Sequence, residues 1–103
     1  MKKIRDLFGR EIRLTDEREK HIEEDHPEMV EQIGKIQETL SAPEIIIQSK
    51  TDIEVELFYR YYKFTPVGEK YLCVVVKVIK CPFLITAYFT DTIKEGRILW
   101  EKK

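Results

Sequence analysis

Two histidines, two cysteines, and a few cations and hydroxyls among apolar neighbours are the residues of this chain that could do chemistry. His21 and His26 frame the stretch His21-Ile22-Glu23-Glu24-Asp25-His26-Pro27-Glu28. An imidazole changes charge near neutral pH, so each is a candidate general acid or base. A histidine that only caps a helix, or one that only faces solvent, has the same sequence signature. Cys73 and Cys81 stand eight residues apart and form no CxxC knuckle. With the histidines they lack the tight ligand spacing of a zinc site, so no metal is expected. There is no glycine-rich phosphate loop, nucleophile-elbow serine or HExxH, and no cofactor is expected. The remaining candidates are Glu56, Phe58, Arg60, Tyr62, Lys77, Thr86 and Tyr88, all in the second half of the chain.

The elements that must position these residues divide the chain in two. Ile4 to Leu14 reads as a short irregular hairpin or arm around Gly9. Thr15 is a helix N-cap followed by Asp16 and Glu17, whose charges suit the positive end of a helix. That helix runs to about Asp25, because the residue before Pro27 avoids helical geometry. Pro27 then opens a second helix, with Met29, Val30, Ile33, Ile36 and Leu40 at helical spacing. From Ile45 the period changes to two. Strands are predicted at 45–47, 53–63, 71–80 and 83–90, followed by a tail with a turn at Gly96. Helices followed by strands mean α+β. The expected architecture is two N-terminal helices packed on one face of a four-stranded antiparallel sheet, a single domain over 1–103.

Strand parity then sorts the candidates. A tight turn at Cys81-Pro82 sets Val78, Val76 and Val74 opposite Ile85, Ala87 and Phe89, all inward. The same register sends Lys77, Thr86 and Tyr88 outward. In the preceding strand Ile53, Val55, Leu57, Tyr59 and Tyr61 read as one face, and Glu54, Glu56, Phe58, Arg60 and Tyr62 as the other. The expected open face carries Glu56, Arg60, Tyr62, Lys77, Thr86 and Tyr88 around an apolar floor, with Phe58 beside Val75. Cations, hydroxyls and aromatic rings on such a face suit a phosphodiester whose bases can stack. RNA cleavage needs little more: a 2′-hydroxyl attacks its own phosphate, a base takes the proton, cations stabilise the developing charge and an acid protonates the leaving oxygen. Solvent alone also selects mixed polar residues and threonines on an open sheet face.

Two segments carry a family resemblance. One is Ile12-Arg13-Leu14-Thr15-Asp16-Glu17-Arg18 with His21-Ile22 and His26-Pro27-Glu28-Met29. The other is Tyr71-Leu72-Cys73-Val74-Val75-Val76-Lys77-Val78 with Phe83-Leu84-Ile85-Thr86-Ala87-Tyr88. Together they resemble the phage-type branch of the barnase–EndoU–colicin–RelE nuclease superfamily. The resemblance implies helices followed by a four-stranded antiparallel sheet and metal-independent RNA cleavage. It assigns His21 as the helix histidine, Lys77 as the third-strand cation, and Thr86 with Tyr88 as the fourth-strand polar positions. Arg60 joins the catalytic set from the open-face argument, and Glu56, Phe58, Tyr62 and His26 are the substrate-binding candidates. The implied partners are RNA and a cognate inhibitor or antitoxin protein. Toxins of this superfamily are usually basic, and this chain departs from that pattern.

The whole-chain balance bounds these readings. Eighteen basic residues against 19 acidic ones give a net charge of −1, which excludes a histone-like nucleic-acid glue but leaves room for a local basic groove. No apolar run approaches the roughly 20 residues of a membrane helix, and Met1-Lys2-Lys3-Ile4-Arg5-Asp6 has no signal-peptide core. A cytoplasmic protein with free thiols is expected. The leading function is a small endoribonuclease, a toxin or phage-derived effector. The alternatives are a non-catalytic RNA- or protein-binding module on a degenerate nuclease fold, and a regulatory domain that dimerises through a strand edge.

Overall fold

The computed structural model covers residues 1–103 and is α+β, with two α-helices and one seven-stranded mixed sheet. Strands β1 (Lys2–Arg5) and β2 (Glu11–Leu14) form an antiparallel hairpin at one sheet edge. Helices α1 (Asp16–Asp25) and α2 (Ile33–Ser41) follow, with one 3₁₀ turn, Pro27–Met29, between them. Strands β3 (Ile45–Gln48), β4 (Val55–Tyr62), β5 (Lys70–Lys77), β6 (Phe83–Thr90) and β7 (Arg97–Glu101) complete the chain. The order across the sheet is β1-β2-β6-β5-β4-β3-β7. Only β2 and β6 run parallel; they meet at Arg13 and Phe83, and the Arg13 N–H donates to the Pro82 carbonyl at 3.1 Å.

The α+β class holds, but the four-stranded antiparallel sheet does not. Strands β3 to β6 are the expected meander, and β1, β2 and β7 extend it to seven strands. These three are only four or five residues long and carry charges among their apolar positions. The β1–β2 pair is the hairpin expected around Gly9, joined to the sheet through β6, whereas β7 becomes a strand because β3 completes its hydrogen bonds, which local sequence does not reveal. No helix is long and apolar enough to cross a membrane.

The helices start as expected and then depart. Thr15 Oγ1 accepts the Arg18 N–H at 3.1 Å, closing the first turn of α1, and Ile22 is the helix's buried anchor. Pro27 does not open the core helix. It starts the 3₁₀ turn, Glu31 then adopts φ 64°, and α2 begins only at Ile33. Met29 is buried in this arrangement, while Val30 turns to solvent.

The sheet has two apolar faces. Under the helices, Phe58, Leu72, Val74, Val76, Leu84 and Ala87 join Ile22, Ile36 and Leu40 in the main core. On the opposite face Ile47, Leu57, Tyr59 and Cys73 form a smaller core, with Val55, Val75, Tyr88 and Ile93 packed against it. The connection between β6 and β7, residues 91–96, passes over this second face. Ile93 packs on the small core and the Lys94 N–H donates to the Tyr59 hydroxyl at 3.1 Å.

Two register expectations are corrected here. Strand β4 sits one residue off the expected alignment: Glu56, Phe58 and Arg60 face Val76, Val74 and Leu72. A one-residue slip exchanges the faces of a strand, so Glu56, Phe58, Arg60 and Tyr62 lie on the helix side, and Val55, Leu57 and Tyr59 lie opposite. The charges of Glu56 and Arg60 read as solvent-facing, but Arg10 and Glu38 on other elements meet them, which alternation alone does not reveal. In the β5–β6 hairpin, residues 78–82 form a longer loop than the expected tight turn, and a bulge interrupts pairing at Val75/Val76. Lys77 therefore faces Phe83 rather than Thr86, Cys73 faces Tyr88, and Val74 faces Ala87. The bulge also places Leu84 in the core and Ile85 on the second face beside Thr86.

Candidate functional site

The second face holds a groove of about 510 Å³. Its floor is Val55 and Leu57 of β4, Val75 of β5 and Ile85 of β6. Thr86 and Tyr88 of β6 line one side; Asp52 of the β3–β4 loop and Lys94 of the 91–96 connection line the rest, with Lys50 and Glu95 nearby. The sheet order explains the convergence. Adjacent strands β6, β5 and β4 supply the floor, and two connections close over it.

Lys77 adjoins this groove through Asp52. Its Nζ lies 2.6 Å from Asp52 Oδ2 and 3.3 Å from Glu54 Oε1. The hydrogen bond to Asp52 is the main reason its pKa rises above the ordinary lysine value. The same bond, helped by the Glu54 N–H, lowers the pKa of Asp52. Lys77 is thus fully charged and already neutralised. Lys50 is also paired, with Glu95 at 3.1 Å. Lys94 has no carboxylate within ion-pair distance, and its charge is felt at the Cys73 thiol. Burial, then the neighbouring Cys73, pushes the Tyr88 pKa well above the ordinary tyrosine value, so its hydroxyl keeps its proton at neutral pH. The His26 ring lies 5.6 Å from the Tyr88 ring, centroid to centroid, at an interplanar angle of 32°.

The remaining sequence candidates do other work. Glu56 accepts two N–H bonds from Arg10, at 2.6 and 3.3 Å, and Arg10 Nε donates to the buried Asp6 at 2.7 Å. This bridge ties the β1–β2 hairpin to β4. Arg60 donates to the Ala42 carbonyl at 2.7 Å and lies 3.4 Å from Glu38 Oε1. The Tyr62 hydroxyl donates to Glu38 Oε1 at 2.8 Å and lies 3.3 Å from Thr39 Oγ1. Arg60 and Tyr62 clamp β4 to α2, and Phe58 is fully buried in the main core. His21 lies on α1, 56% exposed, loosely paired with Glu17 at 3.6 Å. His26, 35% exposed, is the more buried of the two histidines. Ile22 alone turns inward from α1, and its neighbour His21 points away with the polar side.

The structure therefore brings Thr86 and Tyr88 to one groove, sets Lys77 at its margin and places His26 behind Tyr88. It does not bring His21, Glu56, Phe58, Arg60 or Tyr62 there. Asp52 and Lys94 were missed in the sequence because both lie in connections, where no periodicity marks a direction. The only available hint for Lys94 was its place in a tail long enough to cross the sheet. No family model, curated protein or solved structure matches the chain.

Proposed function

We propose that the chain is an endoribonuclease whose scissile phosphate sits in the groove between β6 and the 91–96 connection. The observation that carries the reading is the meeting of Lys94, free of any carboxylate partner, with Thr86 and Tyr88 over an apolar floor. The floor takes a base or ribose by burial and stacking, and a groove of about 510 Å³ is within the usual range for a small ligand. In the reaction the 2′-oxygen bonds to phosphorus and the bond to the 5′-oxygen breaks. The products are a 2′,3′-cyclic phosphate and a new 5′-hydroxyl. Asp52, on the groove wall, accepts the 2′ proton. Lys94 stabilises charge on the non-bridging oxygens, and the Tyr88 hydroxyl donates to the departing oxygen. The resemblance to the barnase–EndoU–colicin–RelE superfamily supports the same chemistry. The rival reading, an RNA- or protein-binding module without catalysis, is favoured by the pairing of Lys77, Arg60 and Lys50 with carboxylates.

Incubating the pure protein with total RNA in EDTA separates the two. The wild type is expected to leave 2′,3′-cyclic ends, and Lys94→Ala is expected to lose about a hundredfold in rate, the typical cost of one transition-state charge contact. Tyr88→Phe keeps the ring against His26 and loses only the proton donor. Intact RNA with every substrate tried would overturn the nuclease reading in favour of the binding module.

A further inference from the structure

A second groove, of about 410 Å³, lies where the β5–β6 loop meets β2. Its apolar side is Val78, Ile79 and Pro82, and its polar side is Arg10, Arg13 and Lys80. The charge of Arg10 is already met by Asp6 and Glu56. Arg13 and Lys80 have no ion-pair partner. Arg13 spends one N–H on the Cys81 carbonyl at 2.8 Å, which anchors the loop, and its Nε is shut off from solvent without an acceptor. The fourth acid-base residue here, Glu11, is drawn to Lys3 at 3.7 Å. Two uncompensated cations thus share a cavity with an apolar wall, on a molecule whose net charge is −1. A local field of that kind recruits anions.

The sheet register links this groove to the first one. Val55, Lys77, Phe83 and Arg13 form one row across β4, β5, β6 and β2. Arg13 therefore stands two strands from Lys77, about 10 Å at the usual strand spacing. We infer that the Arg13–Lys80 groove binds a second nucleotide of the same single-stranded RNA, its phosphate on the two cations and its base or ribose against Ile79 and Pro82. The choice of RNA as ligand rests on the proposed nuclease reading; the cavity and its charge do not.

Cys81 provides a direct reporter, because it lines this groove and is exposed while Cys73 is buried. The probe is a 2′-O-methyl oligouridylate carrying fluorescein. It has phosphates and bases but no free 2′-hydroxyl, so it binds without being cleaved. At about ten times its Kd the oligonucleotide should slow maleimide labelling of Cys81 about tenfold, since only the free fraction reacts. Lys80→Gln should weaken binding and lower the slope of log K against log salt by about 0.7, the share of one single-strand phosphate contact. Lys80 is the variant of choice because Arg13 also holds the loop; Arg13→Gln serves as a second test wherever it folds. Binding by anisotropy with unchanged Cys81 labelling overturns the inference, as does an unchanged salt slope in Lys80→Gln, and so does absence of binding. RNA cleavage by the wild type alongside any of these leaves the first groove's role standing. Protection of Cys81 without cleavage upholds the second groove and removes the catalytic reading.

Discussion

Tyr62 shows how a residue with a plausible chemical role can be committed to holding the fold. Burial, and then its bond to Glu38, push its pKa up to about 12 from an ordinary 10. The unfolded chain releases this proton near pH 10, whereas the folded chain keeps it. The unfolded state therefore binds fewer protons in that range, and stability must fall as pH rises from about 10 towards 12. Tyr61, raised to about 12 by its hydrogen bond to Glu69, adds to the same slope, and buried Tyr59 and partly buried Tyr88 act in the same direction. Urea unfolding at pH 9, 10 and 11 should show this decline. Tyr62→Phe should make it shallower, while costing about 1 kcal/mol at neutral pH through the lost hydrogen bond. An unchanged slope in the variant would show that Tyr62 does not hold its proton through the fold. Arg60 and Glu56 belong to the same class: each spends its charge between elements, which leaves none for a ligand.

At the scale of elements, β7 depends on Gly96. A Cβ at this position would run into the Gln48 carbonyl oxygen and come within 2.6 Å of Ile47 Cγ2, so β7 could not close on β3 without moving. Gly96→Ala is expected to cost about 1–3 kcal/mol, typical of overpacking, and to lower Tm by roughly 4–8 °C for each kcal/mol in a domain of this size. A thermal scan with an unshifted Tm would mean that β7 is not held in the place described. The same contact explains what the sequence could and could not reveal. Thr15 and the run Leu72 to Val76 act through neighbours in the chain, so α1 and β5 are legible. Gly96 reads as a turn because its decisive neighbours, Ile47 and Gln48, lie almost fifty residues away. The bulge at Val75/Val76 left the same gap at the candidate site. Strand parity puts Thr86, Tyr88 and Lys77 on one face, as in the structure, but it cannot show the bulge that moves Lys77 from Thr86 to Phe83. The faces of β4 were exchanged because Phe58 and Leu57 are equally apolar, and only the helix above Phe58 decides between them.

The whole molecule is a sheet buried on both sides by unequal layers. Two helices cover one face, and a six-residue connection covers much of the other. The groove proposed for catalysis exists because that connection is thin: it roofs Tyr59 and leaves Thr86 and Asp52 at the opening. The layer runs on into β7, an edge strand with a neighbour on one side only, where local opening has the fewest contacts to break. Here the edge is held from both sides. Leu99 and Trp100 pack on the helix-side core, Ile93 packs on the opposite one, and the Lys102 N–H donates to the Glu44 carbonyl at 2.8 Å. Trp100 is the single tryptophan, so its fluorescence reports β7 and its packing on the helix-side core. Urea unfolding followed by Trp100 fluorescence should therefore coincide with unfolding followed by far-ultraviolet circular dichroism, with one midpoint, as a two-state domain requires. A tryptophan transition at lower urea would mean that β7 and the 91–96 connection peel away first. The groove proposed for catalysis would then be open in a partly unfolded state, and Lys94 could no longer be counted as a fixed part of it.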